Sequence, residues 1–221
     1  MTHGLESNQE PTHIFYGGTF DPPHEGHALV VRLCLKKFSS AAVVVVPSFA
    51  PAGAYGRHKS VKTSFADRVK LCELAFADEI ALRRVVVDRV EVDLPAPNYS
   101  WKTLEVLGQK YSGSRLALLL GFDQLQSLDG WQNADDLVRQ YDIVAIDRPG
   151  FGALTEIKEQ FASRFASPAA GRCLYILGGD GEVSSAQSRV IRADPEGAEA
   201  KEWLKPKVIE YIREQKLYGD K

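Results

Sequence analysis

Cysteine is scarce in this 221-residue chain, and what there is lies scattered. Cys34, Cys72 and Cys173 are odd in number and form no C-x-x-C pair, so each reads as a small buried hydrophobe. Long apolar runs are also missing. The longest, Ala41–Val46 and Leu116–Leu120, are far too short to span a bilayer. The segment Met1–Thr12 is polar and lacks the apolar core of a signal peptide. Neither sign of charge dominates: the formal net charge is −2, so no global attraction to nucleic acid or to an anionic membrane is expected. Neither G-x-x-x-x-G-K-[ST] nor G-x-G-x-x-G occurs, which removes the two usual phosphate loops. These absences together lead to the expectation of a cytoplasmic protein in a reduced compartment.

What is present is the pattern of an α/β domain. Ile14–Tyr16, Ala41–Val46, Val85–Val87, Val90–Val92, Leu116–Leu120, Ile143–Ile146 and Cys173–Leu177 are short apolar runs that read as strands. Between them lie stretches of helical periodicity, such as Leu29 to Phe38, Val69 to Phe76, Trp101–Tyr111, Asn133–Gln140 and Leu154–Phe165. Ser64-x-x-Asp67 resembles a capping box at a helix start. Continuous apolar strands alternating with helices predict a Rossmann-like, doubly wound parallel sheet flanked by helices. We expect a tail at 1–12, a single domain over 13–221, and a small C-terminal helical part from about 184. Ligands in such folds sit beyond the carboxyl ends of the strands, which directs attention to the residues after Tyr16, Val46, Leu120 and Ile146.

The segment after Tyr16 reads Gly17-Gly18-Thr19-Phe20-Asp21-Pro22-Pro23-His24-Glu25-Gly26-His27. Two glycines let a backbone approach a ligand closely. Histidines three residues apart on a first helical turn share one face, and the free N–H groups of a helix start favour phosphate. The spacing lacks the four-residue interval of a zinc-protease helix, and no protein metal site is expected.

This segment resembles the H-x-G-H nucleotidyltransferases, and the ordered set of later motifs is similar to the bacterial nicotinate-nucleotide adenylyltransferase family, over nearly all of Ile14 to Tyr218. Pro51 with His58-Lys59 matches a family loop. Arg68 matches an arginine on the helix that follows. Asn98 to Leu104 loosely matches a Ser-Tyr-Thr-x-Asp-Thr-Leu segment. Gly121, Asp123, Leu128 and Trp131 match a G-x-D segment followed by Leu-x-x-Trp, and Arg148-Pro149-Gly150 a family turn. Val183 to Arg189 matches Ile-Ser-Ser-Thr-x-Ile-Arg, and Lys205 to Tyr218 the family's ending. The chain departs from the pattern at Lys102, Ala186 and Ser188, and the loop before His58 carries extra residues at Gly53 to Arg57.

The resemblance implies adenylyl transfer from ATP to nicotinate mononucleotide, with magnesium arriving on the ATP. It implies ATP over Gly17, Gly18, Thr19 and Phe20, with His24 and His27 on its phosphates. Lys59 would reach both substrates from its loop. Ser184, Ser185 and Arg189 would hold phosphate at a second helix start. Gly121, Asp123 and Arg148 would lie by the nucleoside, and Tyr99, Ser100 and Trp131 would receive the acceptor. Catalysis would rest on His24, His27, Lys59 and Arg189. Plainer alternatives stay open: Asp123 as a helix cap, Lys59 and Lys102 as solvated lysines, Arg68 as a solvent-facing helix residue, Arg148 as a surface arginine, Trp131 as core. At the level of activity, a nicotinamide mononucleotide or phosphopantetheine acceptor, or a weakened nucleotide sensor, also stays open. The sequence allows a homo-oligomer and does not specify one.

Overall fold

The computed structural model describes residues 9–51, 61–147, 154–165, 172–178 and 186–219. Among them six strands form one parallel sheet: β1 (His13–Gly18), β2 (Ala42–Pro47), β3 (Val85–Val87), β4 (Leu116–Gly121), β5 (Asp142–Asp147) and β6 (Leu174–Gly178). Their order is β3-β2-β1-β4-β5-β6 and every neighbouring pair is parallel. This is the doubly wound arrangement that the alternating pattern predicts. The intervening helices are α1 (Glu25–Lys37), α2 (Phe65–Ala75), α3 (Ala77–Ala81), α4 (Ser100–Lys110), α5 (Phe122–Gln126), α6 (Ala134–Gln140) and α7 (Leu154–Arg164). A C-terminal part follows, with α8 (Ala186–Ala193), α9 (Ala198–Trp203) and α10 (Pro206–Glu214).

The unbroken apolar runs are explained by two covered faces. Side chains alternate along a strand, and here both sets are buried. Ile14, Val43, Val45, Ala117, Leu119, Val144 and Ile146 belong to one apolar cluster, which also takes residues of α1, α2 and α8–α10. Phe15, Val44, Val46, Leu118, Leu120, Ile143 and Ala145 belong to the other, with residues of α4–α7. Cys34 and Cys72 are buried as expected, whereas Cys173 is only half-buried. Of the expected tail, residues 1–8 lie outside the described residues; Thr12 donates from its N–H to the Arg115 carbonyl at 2.9 Å and accepts from the Ala42 N–H.

Two local expectations change. Val90–Asp93 is a 3-10 helix, not a strand. The cause is Asp88, whose Oδ1 accepts from the Val90 N–H at 3.0 Å and so turns the chain. Asp123 is not a helix cap: Gly121 caps α5, and Asp123 is an exposed residue of its first turn. Ser64 caps α2, its Oγ accepting from the Asp67 N–H at 3.1 Å and its hydroxyl donating to Asp67 Oδ2 at 2.6 Å; this is the N-cap half of the expected capping box.

The strand order reverses between β1 and β4, so the crevice of the fold opens above their carboxyl ends. The opposite end of the sheet is pinned by Asp142, whose side chain is 0% exposed. It accepts from Arg115 Nε and Nη2 at 2.5 and 2.6 Å and from the Cys173 N–H at 2.8 Å. Breaking a buried pair from one side leaves an uncompensated charge, so Asp142→Ala should destabilise the chain by about 3 kcal/mol. Urea unfolding measures this; a loss under about 1 kcal/mol would mean that the pair behaves as a surface contact.

Candidate active site

The turn between β1 and α1 is shaped by contacts that admit few other residues. Phe20 takes a left-handed φ of 48°, which folds its ring back under the strand end. A Cβ on Gly18 would come within 2.9 Å of that ring, and one on Gly17 within 2.9 Å of the Phe15 ring. The glycines therefore let two aromatic rings fill the space beneath the turn. Pro22 and Pro23 are buried and fix the backbone up to His24, the cap of α1.

Polar contacts hold this turn from three sides. Asp21 is 4% exposed. Its Oδ2 accepts from the Lys62 N–H at 2.7 Å, and its Oδ1 accepts from Thr63 Oγ1 at 2.8 Å and the Tyr218 hydroxyl at 2.7 Å. Its carbonyl accepts from Arg192 Nη1. Beneath it, Arg68 is 2% exposed rather than solvent-facing, and its Nη1 donates to the Thr19 carbonyl at 2.9 Å. Burial lowers the Arg68 pKa, while Asp21, Cys72, Tyr218 and Glu91 oppose that shift.

The two histidine rings touch, with centroids 3.9 Å apart and planes tilted by 44°. The His24 N–H donates to His27 Nδ1 at 3.1 Å, so neutral His27 carries its proton on Nε2. His24 is 6% exposed, and burial pushes its pKa down from 6.5 to about 4. Its Nδ1 is buried without a partner among the described residues. At neutral pH His24 is thus an uncharged imidazole at a helix start, offering hydrogen bonding rather than positive charge.

A cavity of about 780 Å³ opens on the other side of the turn. Gly17, Gly18 and Thr19 form its floor with Leu118–Leu120; Tyr99, Ser100 and Trp101 form one wall, and Trp131 and Gln132 another. The first wall is held by a buried polar network. Asn98 Oδ1 accepts from the Ala50 N–H at 2.7 Å, and Glu91 accepts from the Phe49 N–H at 2.9 Å and from Thr103 Oγ1 at 3.0 Å. These bonds bind the exit of β2 to the start of α4, whose first N–H groups have no partner within the helix. Trp131 is half-buried, packing on the core while facing the cavity, so its two readings are not exclusive.

The structure brings Gly17, Gly18, Thr19, Tyr99, Ser100 and Trp131 to one cavity. Phe20 packs beneath the turn, and His24 and His27 lie on the α1 side of it. Gly121 ends β4, its N–H donating to Gln124 Oε1 at 3.1 Å. Arg189 is exposed on α8; the residue of that helix that grips the turn is Arg192. Lys59, Arg148, Ser184 and Ser185 lie outside the described residues. Sequence reasoning missed Glu91, Asn98, Trp101, Gln124, Arg192 and Tyr218. Lys102 is no freely solvated lysine: its Nζ sits 5.6 Å over the Trp101 ring and 5.8 Å over the Tyr99 ring. The Asp88 turn was the available signal for Glu91, because it removes residue 91 from a strand.

A doubly wound parallel sheet, a glycine turn into a helix start at its central strand and a ligand-sized cavity at the switch point define a nucleotide-binding α/β protein. A Cytidylyltransferase-like family profile matches residues 15–190. The probable nicotinate-nucleotide adenylyltransferase of Gloeobacter violaceus is 30% identical, covering 92% of this chain and 94% of its own. The nicotinate-nucleotide adenylyltransferase of Bacillus subtilis is 26% identical, covering 92% and 96%. The fold is shared with the nicotinic acid mononucleotide adenylyltransferase of Plasmodium falciparum solved with NaAD, at TM-score 0.72, 18% identity and coverage of 95% and 98%. The chain belongs to the cytidylyltransferase-like family and, within it, to the nicotinate-nucleotide adenylyltransferases.

The His24 shift has a pH consequence. The unfolded chain takes up a proton as pH falls below 6.5, while the folded chain resists until about 4. Folding is therefore penalised across that window: the stability is full above pH 6.5 and is lost towards pH 4, by up to roughly 3 kcal/mol. In His24→Gln, ligand-free stability should fall less between pH 6.5 and 4 than in wild type. Parallel acid limbs in urea unfolding would show that His24 is not held neutral.

Proposed function

We propose that this enzyme transfers the adenylyl group of ATP to nicotinate mononucleotide, giving nicotinate adenine dinucleotide and pyrophosphate. The observation that carries the reading is one cavity shared by the Gly17–Thr19 turn and the Tyr99–Trp101 and Trp131 walls. A mononucleotide in that cavity has its ring between aromatic walls and its phosphate directed to the turn. Proteins of the family to which this chain belongs carry that activity in their names.

The acceptor phosphate has a second pKa near about 6 and is largely dianionic at neutral pH. It needs no general base. One of its oxygens forms a bond to the α-phosphorus of ATP while the bond from that phosphorus to the bridging oxygen breaks, and pyrophosphate leaves with the electron pair. The enzyme's part is alignment and charge stabilisation. His27 Nε2–H and the neutral His24 ring supply hydrogen bonds to phosphate as charge moves. Lys59, Arg189, Ser184 and Ser185 are assigned to phosphate on the motif match, and Gly121, Asp123 and Arg148 to the nucleoside. Magnesium, carried in with the ATP, would offset the negative charge of the leaving pyrophosphate and would need no carboxylate cage on the protein. In support, the one carboxylate of the turn, Asp21, is already engaged by three donors. ATP as donor fits the cytoplasmic location expected from composition. Among the described residues no helix is long and apolar enough to cross a membrane.

The preference for nicotinate over nicotinamide is assigned to backbone donors. Ser100 starts α4 and lines the cavity, and Gln132 faces it after Trp131. N–H groups at a helix start favour a carboxylate over a neutral amide.

His24→Ala and His27→Ala should each lower kcat by about 10²–10³ with smaller changes in KM. Near-normal turnover in both, with the fold intact, would remove the histidines from the mechanism. For the acceptor, kcat/KM should favour nicotinate mononucleotide over nicotinamide mononucleotide. Trp131→Ala should raise KM for the acceptor far more than for ATP. Pyrophosphate release with each mononucleotide and with phosphopantetheine measures this; a wild-type preference for another acceptor, or a Trp131→Ala defect confined to ATP, would overturn the acceptor assignment, and no release at all would favour a sensor.

A further inference from the structure

Tyr218 lies far along the chain from the phosphate turn, yet its hydroxyl donates to Asp21 Oδ1 at 2.7 Å. The segment that carries it is bent into place. Lys216 and Tyr218 both take left-handed φ values, 52° and 64°, which residues with a Cβ adopt only where their surroundings impose it. The segment is anchored as well. The Tyr211 hydroxyl donates to Asp67 Oδ1 at 3.0 Å, the Leu217 N–H donates to the Ile212 carbonyl at 2.9 Å, and Leu217 and Tyr218 pack against the core. Burial raises the Tyr218 pKa far above the usual phenol range, and the Asp21 charge adds to the shift, so the hydroxyl remains a donor. Three segments remote in sequence thus converge on one residue of the turn: Lys62 and Thr63, Arg192 of α8, and Tyr218.

We infer that Tyr218 is a positioning residue for adenylyl transfer: acting through Asp21, it fixes the turn that carries His24 and His27. The inference rests on the assignment of those histidines to the ATP phosphates. Among the described residues Asp21 Oδ2 has one donor and Oδ1 has two, from Thr63 and Tyr218. With all three in place the carboxylate has one orientation. Without the phenol, Oδ1 is held by Thr63 alone, and the peptide units on either side of Asp21 lose a restraint three residues before His24. A small displacement of a phosphate donor costs more in the transition state than in ground-state binding, so the defect falls on kcat.

Tyr218→Phe keeps the ring and removes only the hydroxyl. The expected result is a fall in kcat of about tenfold, with KM for the acceptor and the thermal midpoint close to wild type. Asp21→Asn should slow turnover on its own, and adding Tyr218→Phe to it should cost little more, because both act through one contact. Wild-type kcat in Tyr218→Phe, fully additive losses in the double variant, or lost stability with unchanged kcat per folded molecule would each overturn the inference. His24→Ala assayed alongside separates the two levels. If it too turns over normally, the site assignment has failed. If it is slow while Tyr218→Phe is fast, only the role of Tyr218 has failed.

Discussion

The Arg68 guanidinium is the charge around which this site is built. A cation that is 2% exposed cannot stand alone in a protein interior. Asp21 and Glu91 both act on it, and each is itself part of one half of the site. Asp21 belongs to the phosphate turn, and Glu91 ties the exit of β2 to α4 at the acceptor wall. The guanidinium meanwhile donates to the Thr19 carbonyl. A peptide carbonyl and the following N–H point in opposite directions, so this bond turns the Phe20 N–H away from Arg68. One buried cation therefore sets the backbone of the turn and balances carboxylates that shape both sides of it.

The fold was legible because strands buried on both faces leave unbroken apolar runs. Val43 and Val45 pack one way and Val44 and Val46 the other. The turn was legible as well, since Gly18 next to a left-handed Phe20 leaves little freedom of sequence. What escaped was the set of residues that act at a distance. Arg68 shares the buried face of α2 with Leu71, Cys72 and Ala75, but an arginine reads as a surface residue, and nothing local says that a carbonyl 49 residues away needs it. Arg192 and Tyr218 escaped for the same reason, since their partner Asp21 is remote in sequence. Glu91 between two valines imitates a strand, and only the Asp88 side chain reveals the turn.

The electrostatic character of the site differs from what its histidines suggest. A pair of imidazoles beside phosphates invites a picture of two cations. With its pKa pushed down to about 4 by burial, His24 is neutral near pH 7 in the ligand-free chain. His24 therefore brings no positive charge to the polyanion, whereas lysine and arginine hold theirs at all relevant pH values. A neutral donor has a use of its own. It stabilises charge arriving on a phosphate oxygen without binding the resting, already charged ligand so tightly that the gain disappears.

The sheet order carries a consequence for how the molecule holds together. His13 pairs with Ala42 through a local βαβ unit, while its other neighbour, Leu116, is reached only after the first half of the chain has been laid down. The β1–β4 boundary is thus a seam between two sub-assemblies, β1–β3 and β4–β6, each closed by shorter-range crossovers. The crevice sits on that seam: Gly17 to Thr19 come from one half, and Leu118 to Leu120 and Trp131 from the other. A ligand bridging the crevice is a clamp across the line along which the halves would part, so occupancy and cohesion of the two halves are thermodynamically linked.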